Sequence, residues 1–387
     1  MERCVMVTTV NGTQGVDNIQ DNTITTDDIQ DGAITAAKIA NSYAGMKNLI
    51  INGNMQIAQR GTSFNVNGAN TKYTVDRFAL GLMEGDFTAT QDTDIPTGQG
   101  FASSLKIDNN SAIATLAVGT QNFFEQKIEA QNLTQLSYGT ANAKTITLSF
   151  WVKSNKTGTY IVWLYAPSGG NMISNSYTIS SANTWEKKTI AIVGDTSSLA
   201  FANNNGIGLY VRFMIGAGSN YQASPLATSW TPITSPTRYQ GQVNLADSTS
   251  NYINITGVQL EAGTTATDFE RLQYGQQLEL CQRYCYKIGG DSAYTPFAMG
   301  TSYNTVGGNA LVNYPVAMRA TPTMTPTYPI RSLNGGSTQA VSSVSFGQGG
   351  ATTAYIDYQT VSTTSGQAVM LTADGNTASN LLFSAEL

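Results

Sequence analysis

Residues 145–154, "TITLSFWVKS", and 158–167, "GTYIVWLYAP", decide the fold class. In the first segment every second residue is large and apolar, which predicts a β-strand with one buried face. These residues are Ile146, Leu148, Phe150 and Val152. The second segment is almost continuously apolar, which is typical of a strand covered on both faces. Short runs of this kind, separated by Gly and Asn turns, predict an antiparallel β-sandwich rather than βαβ units.

The composition of the chain excludes several classes of function. Its 387 residues are enough for two or three domains, each with its own core. It contains no histidine, which excludes Ser-His-Asp and Cys-His nucleophile systems and histidine-ligated zinc. The net charge is -5 and no Lys/Arg run occurs, so nucleic acid is not an expected partner. We expect no metal and no cofactor.

We expect three parts along an all-β chain. Residues 1–44 form a repeat segment, residues 45–288 a jelly-roll-like antiparallel sandwich with one short helix near its end, and residues 289–387 a smaller C-terminal β domain. We expect neither a signal peptide nor a membrane span, because no apolar run has the necessary length and flanks.

The helix is predicted from about residue 274 to 283, followed by a strand through Tyr286 and Ile288. Leu278, Cys281 and Cys285 fit one stripe of that helix. We expect both of these cysteines, and Cys4, to be free thiols, because an i, i+4 pair rarely meets disulfide geometry. The last hundred residues contain prolines that favour an edge strand or an extended loop. They are Pro315, Pro322, Pro326 and Pro329.

Isoleucine recurs every five residues within 18–41, "NIQDNTITTDDIQDGAITAAKIAN". This spacing fits neither a helix, a strand nor a coiled coil. Burying five isoleucines at about 25 cal/mol per Å² cannot offset ordering costs of about 1–2 kcal/mol per residue within one chain. We therefore expect an oligomerising neck in which copies of the chain stack their isoleucines about a common axis, the alternative being a flexible linker. The stacked residues are Ile19, Ile24, Ile29, Ile34 and Ile39.

Several motifs, in order along the chain, resemble those of tail-fibre proteins of tailed bacteriophages that carry a sandwich like a carbohydrate-binding module. The repeat contains Ile-Thr-x-x-Lys-Ile-Ala and is followed by "NLIINGNMQIAQRGTSF" at 48–64. Further matches are "YTVDRF" (73–78), "QKIEAQN" (126–132), "LSFWVKSNKTGTY" (148–160), "ITGVQLEAGTTATDFERLQYGQQLELCQRYCYKI" (255–288), "MRATPT" (318–323) and "FSAEL" (383–387). The chain departs from the family pattern at Phe78, where the family has Trp, and at Ala130, where it has Gly.

The resemblance implies a homotrimeric tail fibre or spike subunit, made in the host cytoplasm and located in the virion. Its N-terminus would dock on other virion proteins, and it would attach the virion to a host bacterial surface glycan without catalysis. Asn48, Asn52 and Asn54 are then framework hydrogen-bonding residues, and Asp76 and Arg77 form a buried ion pair rather than a ligand site.

Two alternatives stay open. One is a structural virion component without a ligand, such as a capsid fibre, decoration or tail adaptor protein. The other is a polysaccharide depolymerase, which would need two carboxylates about 5–10 Å apart. By spacing alone, Glu125 with Glu129 or Asp92 with Asp94 could supply them.

A glycan site needs a flat aromatic ring for the apolar face of a sugar and amide or carboxylate groups for its hydroxyls. Trp230 and Tyr221 are the predicted platforms in the sandwich, with Asn220 and Gln222 as hydroxyl partners. The alternative for each aromatic is ordinary packing in the core or at its rim.

The C-terminal domain offers a second candidate, because it would be nearest the host if the N-terminal repeat anchors the fibre. In "YIDY", Tyr355 and Asp357 share one face of the predicted strand, and Ile356 and Tyr358 the other. Tyr328 is a further candidate there, with core packing as the alternative.

Overall fold

The computed structural model describes residues 47–197, 199–223, 225–233 and 236–387. The isoleucine repeat and Cys4 lie outside these residues, so the trimerising role of the repeat stays a prediction. Residues Met46–Leu387 form one compact unit. It contains a β-sandwich, a small three-stranded sheet, a closed β-barrel and one described α-helix, which confirms the predicted fold class.

Two antiparallel sheets form the sandwich. In spatial order, the six-stranded sheet contains β1 (Ser63–Asn67), β4 (Asp86–Asp92), β5 (Ser104–Asn109), β13 (Tyr252–Ala262), β7 (Ile146–Ser154) and β10 (Glu186–Ile192). The seven-stranded sheet contains β12 (Thr231–Pro232), β9 (Asn171–Ile179), β8 (Gly158–Ala166), β11 (Ile207–Ala217), β6 (Gln121–Glu129), β3 (Ala79–Leu82) and β2 (Asn70–Tyr73). Short 3-10 helices lie at Ala130–Leu136, Ser219–Tyr221 and Leu245–Asp247.

The two segments that predicted the fold are strands β7 and β8. The alternating apolar residues of β7 are all buried in the core between the sheets, as predicted. In β8, Tyr160, Val162 and Leu164 point into the same core. Its alternate residues Ile161 and Trp163 are also buried, because they pack in a second apolar cluster on the outer face of the seven-stranded sheet. The prediction of a strand covered on both faces is therefore confirmed.

The α-helix among the described residues, α1, spans Tyr274–Gln282 and is followed by β14 (Cys285–Gly289), close to the predicted bounds. Gln273 and Gln276 form a capping box that begins the helix. Cys285 was wrongly included in the helical stripe, since the helix ends before it and Cys285 begins β14. Both cysteines are free, and burial raises the pKa of each thiol. Within the described part of the chain, no helix has the length and apolar character needed to cross a membrane.

The C-terminal strands form a small sheet and a barrel. The sheet order is β14, β22 (Asn380–Ser384) and β17 (Thr323–Thr327), so Pro326 lies in an edge strand, as predicted. The closed barrel consists of β15 (Pro296–Ser302), β16 (Gly307–Asn313), β20 (Thr353–Thr360), β19 (Ser337–Gly349), β18 (Ile330–Asn334) and β21 (Ala368–Ala373). Its core is separate from that of the sandwich. The predicted division at residue 288 falls inside β14 and stays a prediction.

Buried ion pairs bind the end of the chain to the sandwich. Arg77 pairs with Glu386, and their side chains are only 1% and 5% exposed. Arg60 bridges Glu386 at 3.1 Å and Asp76 at 3.8 Å. We call Arg60, Asp76, Arg77 and Glu386 the C-terminal clasp. Because buried charges are tolerated only when they are paired, these four side chains require each other.

The clasp corrects one expectation. Asp76 and Arg77 are both buried, but they do not pair with each other: Asp76 pairs with Arg60 and Arg77 with Glu386. Arg77 has a left-handed backbone (φ 73°), and its guanidinium lies 3.5 Å from the ring centre of Tyr284. The expected framework role of Asn48 and Asn52 is confirmed. The side-chain amide of Asn48 donates to the carbonyl oxygen of Val258, and that of Asn52 to the carbonyl oxygen of Ile57.

We predict that Glu386→Gln lowers the free energy of unfolding by about 3–5 kcal/mol, because it leaves the buried Arg77 guanidinium without a counter-charge. The matched control is Asp374→Asn, which removes a 40% exposed carboxylate that lies 3.8 Å from Arg331. Its expected cost is below about 1 kcal/mol. Urea unfolding of both variants measures the difference, and equal costs would show that the clasp does not stabilise the fold.

Candidate functional site

Three adjacent strands of the seven-stranded sheet carry polar and aromatic side chains on their outer face. Register pairs Arg212 of β11 with Trp163 of β8 and Glu125 of β6. One step along, Tyr210 pairs with Tyr165 and Lys127. Alternation sends the intervening residues, such as Val211 and Leu164, into the core. We call Trp163, Tyr165, Tyr210, Arg212, Glu125 and Lys127 the aromatic face.

An ion pair holds the charged groups of this face in place. The Nε of Arg212 donates to Glu125 Oε2 at 2.9 Å, and Nη2 of the same guanidinium lies 2.8 Å from that oxygen. The same guanidinium lies over the rings of Phe123 at 3.4 Å and Trp163 at 4.9 Å. Lys127 Nζ lies 3.8 Å from Glu125 Oε1. Because Glu125 is 3% exposed, the arginine is fixed by both charge and stacking.

The aromatic rings form a stepped surface. Tyr165 stacks on Trp163 with ring centres 5.3 Å apart and planes inclined by 17°. The ring of Tyr210 lies 5.6 Å from that of Tyr165. Trp163 is buried, whereas both tyrosines are half-buried and remain partly accessible. Burial, together with the nearby charge of Glu125, raises the pKa of Tyr210, so its hydroxyl stays protonated at neutral pH and can donate a hydrogen bond.

The segment from residue 218 to 243, described except for 224, 234 and 235, packs over one end of this face. We call it the covering segment. Tyr239 is fully buried, and its hydroxyl donates to Gln121 Oε1 at 2.9 Å. Gln121 Nε2 in turn donates to the hydroxyl of Tyr221 at 2.9 Å. Burial raises the pKa of Tyr239, so this donor stays neutral.

The four candidates predicted in the sandwich do not form one platform. Tyr221 lies in the covering segment, with Asn220 exposed beside it and the amide of Gln222 donating to the carbonyl of Ala217 at 2.7 Å. Trp230 instead packs against the main core. Its indole N–H donates to the Val193 carbonyl at 2.7 Å. Tyr221 therefore lies next to the aromatic face, whereas Trp230 belongs to the rim of another cluster.

The barrel candidates lie where the strand pattern predicted. Tyr355 and Asp357 share the outer face of β20, and Ile356 and Tyr358 are buried on the inner face. Both outer side chains cover Gly347 of the neighbouring strand: a Cβ there would be 2.5 Å from the ring of Tyr355 and 2.8 Å from Asp357 Oδ2. Tyr328 is 40% exposed, and its hydroxyl accepts from the backbone N–H of Val344 at 2.7 Å. Binding at these residues stays a prediction.

The accessible residues of the aromatic face were missed from the sequence. Tyr165 and Tyr210 lie in "GTYIVWLYAP" and "IGLYVRFMIG", which look like plain strands. The available signal was the alternation of Tyr210 and Arg212 with Val211 and Phe213, which predicts an outward polar face on an otherwise apolar strand.

The two glutamates of β6 near this face both form ion pairs with arginines. Glu129 accepts from Arg283 Nε at 2.7 Å and from Nη2 at 2.8 Å. Burial raises the pKa of Glu129, but the hydrogen bonds from Arg283 outweigh it and the net shift is downward. Glu125 and Glu129 are four residues apart on β6, about 13 Å at the rise of a strand. Among the described residues no group of three or more His, Cys, Asp or Glu could hold a metal ion.

We predict that Tyr239→Phe lowers the free energy of unfolding by about 1–3 kcal/mol, because it leaves the amide oxygen of Gln121 without its buried donor. The control is Tyr252→Phe, which removes a hydroxyl that donates to Asn183 at an exposed position. Hydrogen exchange of the covering segment should accelerate only in Tyr239→Phe. Unchanged exchange in both variants would show that Tyr239 does not anchor this segment.

No protein-family model and no curated protein sequence matches this chain. Solved structures similar to it include the enzymatically active domain of tailspike protein 4 of bacteriophage CBA120, at 16% identity and a TM-score of 0.30, over 56% of this chain and 21% of that one. The carbohydrate-binding module TmCBM61 in complex with β-1,4-galactotriose is 10% identical with a TM-score of 0.27, over 56% of this chain and 100% of that one. The CBM22-1–GH10 part of Clostridium thermocellum xylanase 10B is 12% identical with a TM-score of 0.28, over 56% of this chain and 28% of that one. The chain thus spans about a fifth of the tailspike domain, and its similar structures include both a phage tailspike domain and carbohydrate-binding modules.

Proposed function

We propose that the aromatic face binds a glycan without catalysis, and that the chain is a receptor-binding subunit of a phage tail fibre or spike. The observation that carries this proposal is the stepped pair of accessible rings, Tyr165 and Tyr210, beside the fixed guanidinium of Arg212. A sugar residue presents an apolar face to such rings, while its hydroxyls need fixed donors and acceptors at the edge.

Rigidity favours this role. The rings of Tyr165 and Trp163 are stacked, and Arg212 is held by Glu125 and by the ring of Phe123. A surface that is ordered before the ligand arrives loses little side-chain entropy on binding. Tyr210 can donate a hydrogen bond, and Lys127 lies at the same level across the sheet. The face therefore combines stacking area with polar groups suited to sugar hydroxyls.

The phage setting rests on the motif resemblance and on the isoleucine repeat. Weak binding at one glycan site becomes effective when several copies act together, because the second contact is intramolecular. A homotrimer joined by the repeat, with its N-termini on other virion proteins, would provide that valency. This part of the proposal is tested by the mass of the full-length chain in solution, and a monomeric mass would contradict it.

The state of the acidic residues supports a non-catalytic role. Glycoside hydrolysis requires two carboxyl groups about 5–9.5 Å apart, one of them with a raised pKa. The backbone positions of Glu125 and Glu129 are about 13 Å apart along β6, and each carboxylate binds an arginine. Asp94 binds Lys153 and the indole N–H of Trp185; burial raises its pKa, but these hydrogen bonds outweigh it and the net shift is downward.

We predict that replacing both Tyr165 and Tyr210 by alanine weakens glycan binding by about 1–3 kcal/mol, or roughly 5- to 150-fold in Kd, because both stacking rings are lost. The probes are an array of neutral oligosaccharides and purified bacterial envelope polysaccharides, followed by calorimetry on the best binder. The control is Tyr274→Ala, which removes a 55% exposed tyrosine from α1.

The other outcomes separate the alternatives. Binding that is lost in Trp230→Ala or Tyr355→Ala, but kept when Tyr165 and Tyr210 are replaced, would show that the glycan binds at a residue predicted from the sequence and not at the aromatic face. Release of smaller sugars over time would identify a depolymerase. No binding to any probe, together with loss of particle integrity when the protein is removed, would identify a structural virion component.

A further inference from the structure

A cavity of about 250 Å³ lies on the opposite face of the sandwich, over the outer side of the six-stranded sheet. Its floor is formed by Ser149 and Trp151 of β7 and by Lys187 of β10. Its walls are two loops, one around Phe101 and the other from Thr267 to Arg271. We call it the tryptophan pocket. We propose that it binds an anionic pyranose residue, a uronic or sialic acid, independently of the aromatic face.

Trp151 offers this pocket both a ring and an unused donor. The indole N–H groups of the other three tryptophans bind Met172, Asp94 and the Val193 carbonyl. Among the hydrogen bonds of the described residues, none involves the indole N–H of Trp151. The side chain is half-buried on the outer face of its strand. A pyranose can therefore contact the ring and accept the indole N–H at its edge.

Lys187 supplies an uncompensated positive charge beside this ring. It is the direct cross-strand partner of Trp151 and is exposed. Nearby lysines are neutralised, since Lys188 pairs with Glu186 and Lys153 with Asp94. Within the described part of the chain Lys187 forms no ion pair. Its ammonium is therefore available to a carboxylate held over Trp151.

The walls of the pocket are already formed without a ligand. Arg271 donates to the carbonyl oxygens of Gln99 and of Gly100, the latter at 2.6 Å, and lies 4.8 Å from the ring centre of Phe101. Phe101 packs edge-on against Phe269 at 5.2 Å. Gly257 makes room for this ring: its φ is +63°, and a Cβ there would lie 2.6 Å from Phe101. The loop is thus pinned to the sheet, which favours binding.

Charge and size select the class of ligand. Two cationic side chains, Lys187 and Arg271, and one carboxylate, Asp268, line the pocket of a chain whose net charge is -5. The local excess of positive charge favours an anion, and Asp268 and Ser149 can bind sugar hydroxyls. The volume is just below the roughly 300–1,000 Å³ of sites for drug-sized ligands, which suits a single sugar residue.

Titration of the full-length chain with methyl glucuronide, methyl galacturonide and methyl sialoside, and with methyl glucoside as the neutral counterpart, tests the proposal. Ligand-observed NMR and tryptophan fluorescence report binding. We expect at least one acidic sugar to bind about tenfold more tightly than the neutral one. One charge-assisted hydrogen bond contributes enough free energy for a difference in Kd of this size. Lys187→Gln should abolish that preference, and Trp151→Ala should weaken both ligands. Lys144→Gln, at another exposed position on the sandwich, should change neither.

The test separates this site from the aromatic face. Replacement of both Tyr165 and Tyr210 should leave the affinity for the acidic sugar unchanged, whatever it does to other glycans. Because the Lys187 side chain is exposed, Lys187→Gln is expected to fold normally, and circular dichroism is sufficient to verify this. An acid preference that survives Lys187→Gln would overturn the proposal. So would acid binding that disappears only in the tyrosine double variant, or failure of all three acidic sugars to bind at concentrations that saturate millimolar sites.

Discussion

The buried charge of Arg77 is the constraint on which the joined structure of sandwich and barrel depends. A guanidinium that is 1% exposed needs a counter-ion, and that counter-ion is Glu386, which is 309 residues away in sequence. Tyr284, in the segment that links α1 to β14, places its ring 3.5 Å from the Arg77 guanidinium. The carbonyl oxygen of Leu387 also accepts from Tyr73 and Lys127, so the chain end is bound to both β2 and β6. Four sequence motifs, "QRG", "DRF", "QRYC" and "FSAEL", thus contribute to one network, which gives a physical reason for their joint presence in this chain.

Local sequence patterns predicted the structural features that depend on residues close together in the chain. The alternation of β7, the double burial of β8, the short helix and the edge position of Pro326 all follow from residue type and spacing. The partner of Arg77 could not be predicted in this way, because it lies 309 residues away and is brought near by the fold. Asp76 was the obvious choice in sequence, yet adjacent side chains leave the backbone in different directions.

The candidate site also depends on residues that are far apart in sequence, so it could not be predicted from local patterns. Tyr165, Tyr210 and Lys127 come from β8, β11 and β6, which are neighbours in the sheet but not consecutive in the chain. Each residue looks unremarkable in its own segment, and only the register makes them a surface. The residue type of Trp230 favours a binding platform, but a large aromatic ring at the rim of a core is used for packing as readily as for binding. Residue type identifies candidates, whereas sheet order decides which of them meet.

The position of Glu386 has a consequence for synthesis. The ribosome makes the chain from the N-terminus, so the last strand of the sandwich, β13, emerges more than a hundred residues before Glu386 does. During this interval the nascent sandwich contains Arg77 but lacks its counter-ion, and contacts so distant in sequence form late. The nascent sandwich must either keep the Arg77 region open to water or hold it in a less stable arrangement. Arrival of Glu386, rather than completion of the sandwich strands, is then the event that closes this part of the structure.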